Sequence, residues 1–461
     1  MNPQDETLGI LGLVFMVAMA LLIVIPYLRG KADLLTSYNL FLFGSFIFTG
    51  LSAYAWSNRG HYLHYEAADY TWTYIGYGVF YAVFLVVYNF VSWPRKMAGR
   101  LFRTWCSPSF VSYFVLAVIS IVLSGIALLQ IPIPVISQLS FLIFVRLGPF
   151  AVILAIMAFR RDAFNPLTLL LVVLTITPAF IMSLAFGGGR RIALSLLFAL
   201  PVVVYWTWLR YKKPKLVLPV LLVVGIVMFG FNNGLEAVRH RDSDARGLGR
   251  ALETIRLIAT QSFTFSSADL ALTAQDSVEV TLFTVHNFVG PSAKYEGKLF
   301  AAPYFVLVNP IPRTFWEDKP KAIGFTLPQE VAKKEGMHGL GNVNWGVSPA
   351  AQGFHDGGMW VIALYAVFFG LSFRYLDEWL VRQPDNPFLL GFLASSSANI
   401  VGMARGSIDI MSIPIISSAI AMVFLAIMAR MFFGSDYIYP RTDQVKNFPL
   451  DYLKPQPRSG P

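Results

Sequence analysis

"GILGLVFMVAMALLIVIPYL", residues 9–28, runs for twenty residues without a charge. A helix rising about 1.5 Å per residue crosses the ~30 Å hydrocarbon core of a bilayer in that length. The acidic start before it, "MNPQDETLG", lacks the basic region of a cleaved signal, so the run is expected to remain as a membrane span. Ten further apolar segments qualify, at 36–55, 71–92, 110–130, 139–159, 166–186, 191–209, 214–231, 357–376, 387–404 and 410–431. The expected fold is therefore all-α, a polytopic membrane helix bundle of about eleven spans.

Composition points the same way. Of 461 residues 56% are hydrophobic and 13% charged, and the mean hydropathy is +0.59, well outside the range of soluble domains. The net charge of +10 is spread along the chain and not gathered on one polar surface, so no nucleic-acid partner is expected. A single cysteine, Cys106, excludes an internal disulfide and a cysteine-based metal site.

Orientation follows from lysine and arginine in the short loops, which are retained in the cytoplasm. One set of alternate loops carries fourteen, from Arg29 and Lys31 to Arg374 and Arg382, and the opposite set carries four, Arg59, Arg190, Arg191 and Arg405. The N-terminus is expected outside and the C-terminus in the cytoplasm. The chain then divides into a membrane domain of eight spans (1–231), an extracytoplasmic loop (232–356), three more spans (357–431) and a cytoplasmic tail (432–461). A connection as long as 232–356 is expected to carry function. Early in it, Leu248, Leu252, Ile255 and Ala259 share one helical face, as in an interfacial amphipathic helix. All six histidines fall on the outer side in this topology, three of them (His286, His338, His355) late in the long loop. None is spaced as HxxxH or HExxH, so no metal site is expected.

Several cations stand where a bilayer disfavours them. Arg146 lies inside the fifth span in "SQLSFLIFVRLGPFAVILAI" (137–156). An ionised residue at that depth costs a few kcal/mol, on the order of 2.5–3.5, and faces a polar cavity unless it snorkels to the headgroups. In "GGGRRIAL" (187–194) three glycines free the backbone beside a helix start, where amides favour an anion, and Arg190 and Arg191 add forked donors. Arg405 in "ARGSID" (404–409) and Arg313 in "NPIPRTFWEDKP" (309–320) complete the group. Four positions on one side of the membrane, against the usual charge bias, imply an anionic ligand at the outer leaflet, and a lipid-linked pyrophosphate fits.

In order along the chain, "GGGRRIAL", "NPIPRTFWEDKP", "GFHDGGMW" (353–360) and "ARGS" resemble the motifs of Wzy-type O-antigen polymerases, the oligosaccharide repeat-unit polymerases. Pro312, Arg313, Trp316, Lys319 and Pro320 carry the most specific part. Gly189 stands where the family commonly has serine, and Gln352 near an acidic position. The likeness covers about residues 183–410; the first five spans match only in general character. It implies a fold similar to the C-type glycosyltransferases, in a bacterial inner membrane. The implied reaction moves a growing glycan from undecaprenyl pyrophosphate onto another lipid-linked repeat unit, without cofactor or metal. Partners would be that lipid-linked oligosaccharide, membrane lipid and a chain-length regulator protein. The related O-antigen ligases share the donor.

Physical chemistry asks for the same parts. Arginines stabilise the leaving pyrophosphate, and a histidine or carboxylate takes the acceptor hydroxyl's proton. Candidates for the latter are His338 and His355, ranked first, then Asp356, Glu317 and Asp318. Arg146, Arg190, Arg191, Arg313, Lys319 and Arg405 are candidates for substrate binding, with Trp316 stacking on sugar or wedging the loop. A flippase for lipid-linked oligosaccharide also needs buried arginines, but transporters usually show paired halves, and an envelope scaffold would not need Arg146.

Overall fold

The computed structural model describes residues 3–58, 65–101, 109–128, 142–161, 165–185, 190–239, 277–289, 296–335 and 344–433, with 249, 253, 255, 256, 260 and 293. The cytoplasmic-tail expectation, all but two residues of it, falls outside this set, as do His338 and most of the amphipathic stretch 248–259. The described residues form helices and no strands. They are α1 (Pro3–Leu28), α2 (Ser37–Ser57), α3 (Ala67–Phe90), α4 (Trp93–Leu101), α5 (Phe110–Leu128), α6 (Leu147–Arg161), α7 (Pro166–Ala185), α8 (Arg190–Thr207) and α9 (Pro214–Arg239). After these come α10 (Ser277–Phe288), α11 (Ala301–Val308), α12 (Ile323–Glu335), α13 (Pro349–Gly357), α14 (Met359–Arg382), α15 (Pro387–Gly402) and α16 (Ile408–Phe433).

Among the described residues nine helices are long and apolar enough to cross a membrane, and the chain is a multi-pass membrane protein. The other two expected spans form shorter apolar stretches, Pro166–Thr177 within α7 and Pro387–Gly402. The second has a physical reason. α15 is buried on every side from Pro387 to Ile400, between α2, α6, α8 and α16. At sixteen residues it reaches about 24 Å and stops short of a full crossing. The turn 403–407 that follows is itself largely buried in protein. Around the bundle, Val14 and Val17 on α1, Leu170 and Val173 on α7, and Leu222 and Val223 on α9 are exposed, as lipid-facing residues would be.

α2 passes through a π-helical turn at Phe46–Leu51. There α1 approaches so closely that a Cβ on Gly12 would stand 2.7 Å from the Gly50 carbonyl oxygen, so only glycine fits.

Helix starts inside the bundle leave backbone N–H groups without intrahelical partners, and distant side chains take them. Asp377 on α14 accepts from Ser37 N (2.7 Å) and Tyr38 N (3.1 Å) at the start of α2, and from the Tyr88 hydroxyl (2.8 Å). Nearby, Arg210 and the Tyr205 hydroxyl both donate to Asp33 (2.9 and 3.2 Å). At the other end of the bundle, α10, α12 and α13 sit on the starts of α3 and α16. His286 of α10 pairs with Asp69 (2.9 Å), and the Tyr77 hydroxyl meets Thr281 (2.8 Å).

Asp377→Ala would strand two buried amides and a hydroxyl, a loss on the order of 3 kcal/mol. Thermal denaturation in detergent, followed by gel filtration, should show a clear fall in midpoint. Asp385→Ala, which removes only the exposed pair with Arg160, should leave the midpoint nearly unchanged.

Candidate functional site: a cationic cavity at the end of the bundle

The loop segment is fastened over the bundle by buried acceptors. Asp409, in the first turn of α16, accepts from Ile323 N at the start of α12 (2.8 Å) and from Ile410 N (2.7 Å). Gln352 of α13 offers its Oε1 to Ile408 N (2.5 Å). Asp356 takes Ala302 N at the start of α11 (3.0 Å) and the Tyr365 hydroxyl of α14 (2.6 Å).

Beside the Asp409–Ile323 tie lies a cavity of about 760 Å³, in the size range of ligand sites. Arg146, Arg313, Lys319 and Lys321 line it, with the amides of Asn309, Gln329 and Asn344. Its apolar wall includes Leu142, Phe305, Phe325, Ile410, Ile413 and Pro414. A second, smaller cavity of about 70 Å³ shares Asn344 and Ile410 with it, and is lined by Arg191, Arg405, Trp345 and Ser407 among others. Six cationic side chains and no acidic one line the two cavities among the described residues. That arrangement suits an anion, and the apolar wall suits an amphiphilic one.

Each cation is held differently. Arg146 stands at the turn before α6, where Ser395 of α15 donates to its carbonyl (3.2 Å). Its Nε is buried without a hydrogen-bond partner among the described residues. A buried guanidinium donor left open at a cavity edge is costly unless a ligand meets it. Arg405 runs across Gly346, where a Cβ would stand 2.7 Å from its Nε, and its guanidinium lies 5.9 Å from the Phe48 ring centre. The Asn344–Gly346 strip is itself tied to α12 by Trp345 N donating to the Gly324 carbonyl (2.9 Å).

Arg313 and Lys319 staple their own loop. Nη1 of Arg313 donates to the carbonyls of Glu317 (3.1 Å) and Lys319 (3.0 Å), and Nη2 to that of Pro320 (3.4 Å). Lys319 Nζ reaches back to the carbonyls of Asn309 (2.9 Å) and Ile311 (2.8 Å). The fork expected to meet phosphate thus also holds the backbone of 309–320. Burial, and next the nearby Arg313 charge, push the Lys319 ammonium below its ordinary range.

The remaining candidates lie apart. His355 and Asp356 are buried and joined at 2.9 Å, and line neither cavity. The His355 ring packs edge-on against Phe288 (5.1 Å), and its Nε2 has no hydrogen-bond partner among the described residues. Trp316 is half-buried and lines neither cavity, and Glu317 and Asp318 are exposed. Arg190 opens α8, and its side chain lies outside the described residues, as does His338. Lys321, Asn309, Gln329 and Asn344 were not singled out by sequence. Lys321 follows Pro320 directly, so its place beside the proline-bounded motif was the one available signal. Among the described residues no group of three or more metal-ligating side chains gathers.

No protein-family model, characterised protein or solved structure matches the chain.

Lys319→Met should release the staple while leaving the bundle folded. The two charge-assisted bonds lost are worth about 1.5–3 kcal/mol each at most. Trypsin cleavage after Arg313 should accelerate about tenfold or more, with unchanged elution in gel filtration; an unchanged rate would mean the loop is held by other contacts.

Proposed function

We propose that the chain is a glycosyltransferase of the O-antigen polymerase type, which extends a surface polysaccharide at the outer leaflet of a bacterial inner membrane. The observation that carries this reading is the cavity itself: Arg146, Arg313, Lys319 and Lys321 beside an apolar wall, with no acidic lining among the described residues. A diphosphate linked to a long apolar chain complements both halves. The motif order noted in the sequence supports the same donor, undecaprenyl pyrophosphate bearing a glycan. The N-terminus outside and the loop face in the periplasm follow from the loop charges.

In the proposed reaction the bond from the donor sugar's anomeric carbon to the pyrophosphate oxygen breaks, and a bond to an acceptor hydroxyl oxygen forms. The pyrophosphate leaves with the bonding electrons, and the surrounding cations stabilise its growing charge. The acceptor's proton goes to His338. That residue belongs to the segment between Gln329, which lines the large cavity, and Asn344, which lines both. His355 and Asp356 take a holding role, fixing the start of α11 to α14.

One observation favours a second reading. Among the described residues no carboxylate or imidazole lines either cavity, and a flippase for the same lipid would need the cations and no base.

Purified protein in nanodiscs, given a lipid-pyrophosphate-linked repeat unit, should build longer glycans. Arg146→Ala and Lys321→Ala should each cut the rate by about 10²-fold or more, with normal elution in gel filtration. His338→Ala should abolish extension while the donor still binds. Wild-type protein that leaves the glycan unextended but moves it across a sealed vesicle would replace the polymerase with the flippase.

A further inference from the structure

The stretch between Lys298 and Arg313, "LFAAPYFVLVNPIP", carries no charge over residues 299–312, although it belongs to the long loop. Its helix α11 has eight residues, about 12 Å, too short to span anything. One face is accounted for: Ala302 and Phe305 are buried, and Phe305 and Asn309 line the large cavity. The other face is apolar too, and uncovered. Leu307 is 77% exposed and Phe315 73%, with Tyr304 and Ile311 exposed beside them. A water-facing loop gains nothing from such a ridge.

Its neighbours indicate what covers it. α11 packs against α16, whose exposed outer residues include Ile416 and Ile420. Phe300, just before α11, meets Trp360 edge-on at 5.3 Å. Trp360 in turn heads an exposed row on α14 with Leu364 and Phe368, one helical turn apart. The ridge therefore continues the exposed apolar surfaces of two helices long enough to cross a membrane, with Lys298 before its start and Arg313 near its end, as cations stand at the edge of an inserted segment.

We propose that α11 and the turn after it, residues 299–315, lie in the lipid interface and form the lip of the cationic cavity. The wall there is one helix thick, with Phe305 on the cavity side and Leu307 on the lipid side. An amphiphile can then place its charged end against Arg146 and Lys321 while its tail stays in the bilayer. The placement in lipid does not depend on the reaction proposed above, so its test stands apart from the glycan assay.

The test replaces Cys106 with serine and introduces single cysteines as Tyr304→Cys, Leu307→Cys and Phe315→Cys, each carrying a nitroxide label in protein reconstituted into vesicles. Phe368→Cys on α14 serves as the lipid reference and Asp318→Cys, on the exposed part of the loop, as the water reference. Power saturation with oxygen and with a water-soluble nickel chelate reads where each label sits. Labels at 304, 307 and 315 should collide with oxygen as at 368 and be shielded from nickel. Nickel collisions as frequent as at 318 would overturn the proposal. Shielding from both reagents would overturn it as well, because a protein surface would then cover the ridge. Because the three side chains are exposed, their replacement leaves the packing intact, and gel filtration of each variant checks it.

Discussion

A helix that begins inside an apolar bundle brings unpaired N–H groups with it, and water is not there to take them. Much of this architecture is arranged by that constraint. Asp377 receives the start of α2, Asp409 the start of α12, Gln352 the start of α16 and Asp356 the start of α11. Local caps do the same for α13, where the Ser348 side chain accepts from Ala351 N, and for α15, where Asn386 accepts from Phe388 N and Leu389 N. The distant acceptors have a second consequence, because each joins two elements far apart in sequence. Three of them clamp the loop segment onto the bundle, and the Asp409–Ile323 tie sits beside Ala322 and Ile410 in the wall of the large cavity.

Much of the fold was legible because its signals are local. Uncharged runs of span length mark helices, and α15 differs only because its surroundings are protein on all sides, which hydropathy cannot distinguish from lipid. The cations were legible for a related reason: Arg146 stands inside an apolar run where charge is expensive, and Arg190 or Arg191, Arg313 and Arg405 stand on the side that the loop charges avoid. Their distribution over two adjoining cavities was not legible, since it depends on Asp409 meeting Ile323 and Asp356 meeting Ala302 across the chain. Nor could sequence separate the two duties of Arg313 and Lys319, which line the cavity and bind the carbonyls of their own loop. Gln329 and Asn344 carry no local mark, and Asn309 and Lys321 only their places at the two ends of the proline-bounded motif. His355 and Asp356 read as candidates because they are titratable neighbours at a helix mouth, but their hydrogen bonds join neighbouring elements and neither residue lines a cavity.

In the proposed function the same design separates rigidity from binding. The loop 309–320 is stiffened by internal charge-assisted bonds, so its cations are positioned before any ligand arrives and little reorganisation accompanies binding. Arg146 differs, with a buried Nε that no described group satisfies. An anion in the cavity would meet it. The apolar lip formed by α11 brings lipid to within one helix of that donor.

The central claim is that this cavity recognises the diphosphate of a lipid. Native mass spectrometry of the purified protein, titrated with undecaprenyl pyrophosphate and separately with undecaprenol, measures it directly. Saturable binding of the pyrophosphate lipid should exceed that of the alcohol and be displaced by inorganic pyrophosphate. It should weaken by about tenfold or more in Arg146→Ala and in Lys321→Ala, since one charge-assisted hydrogen bond is worth about 1.5–3 kcal/mol. Equal binding of the two lipids, or wild-type affinity in both alanine variants, would contradict the account.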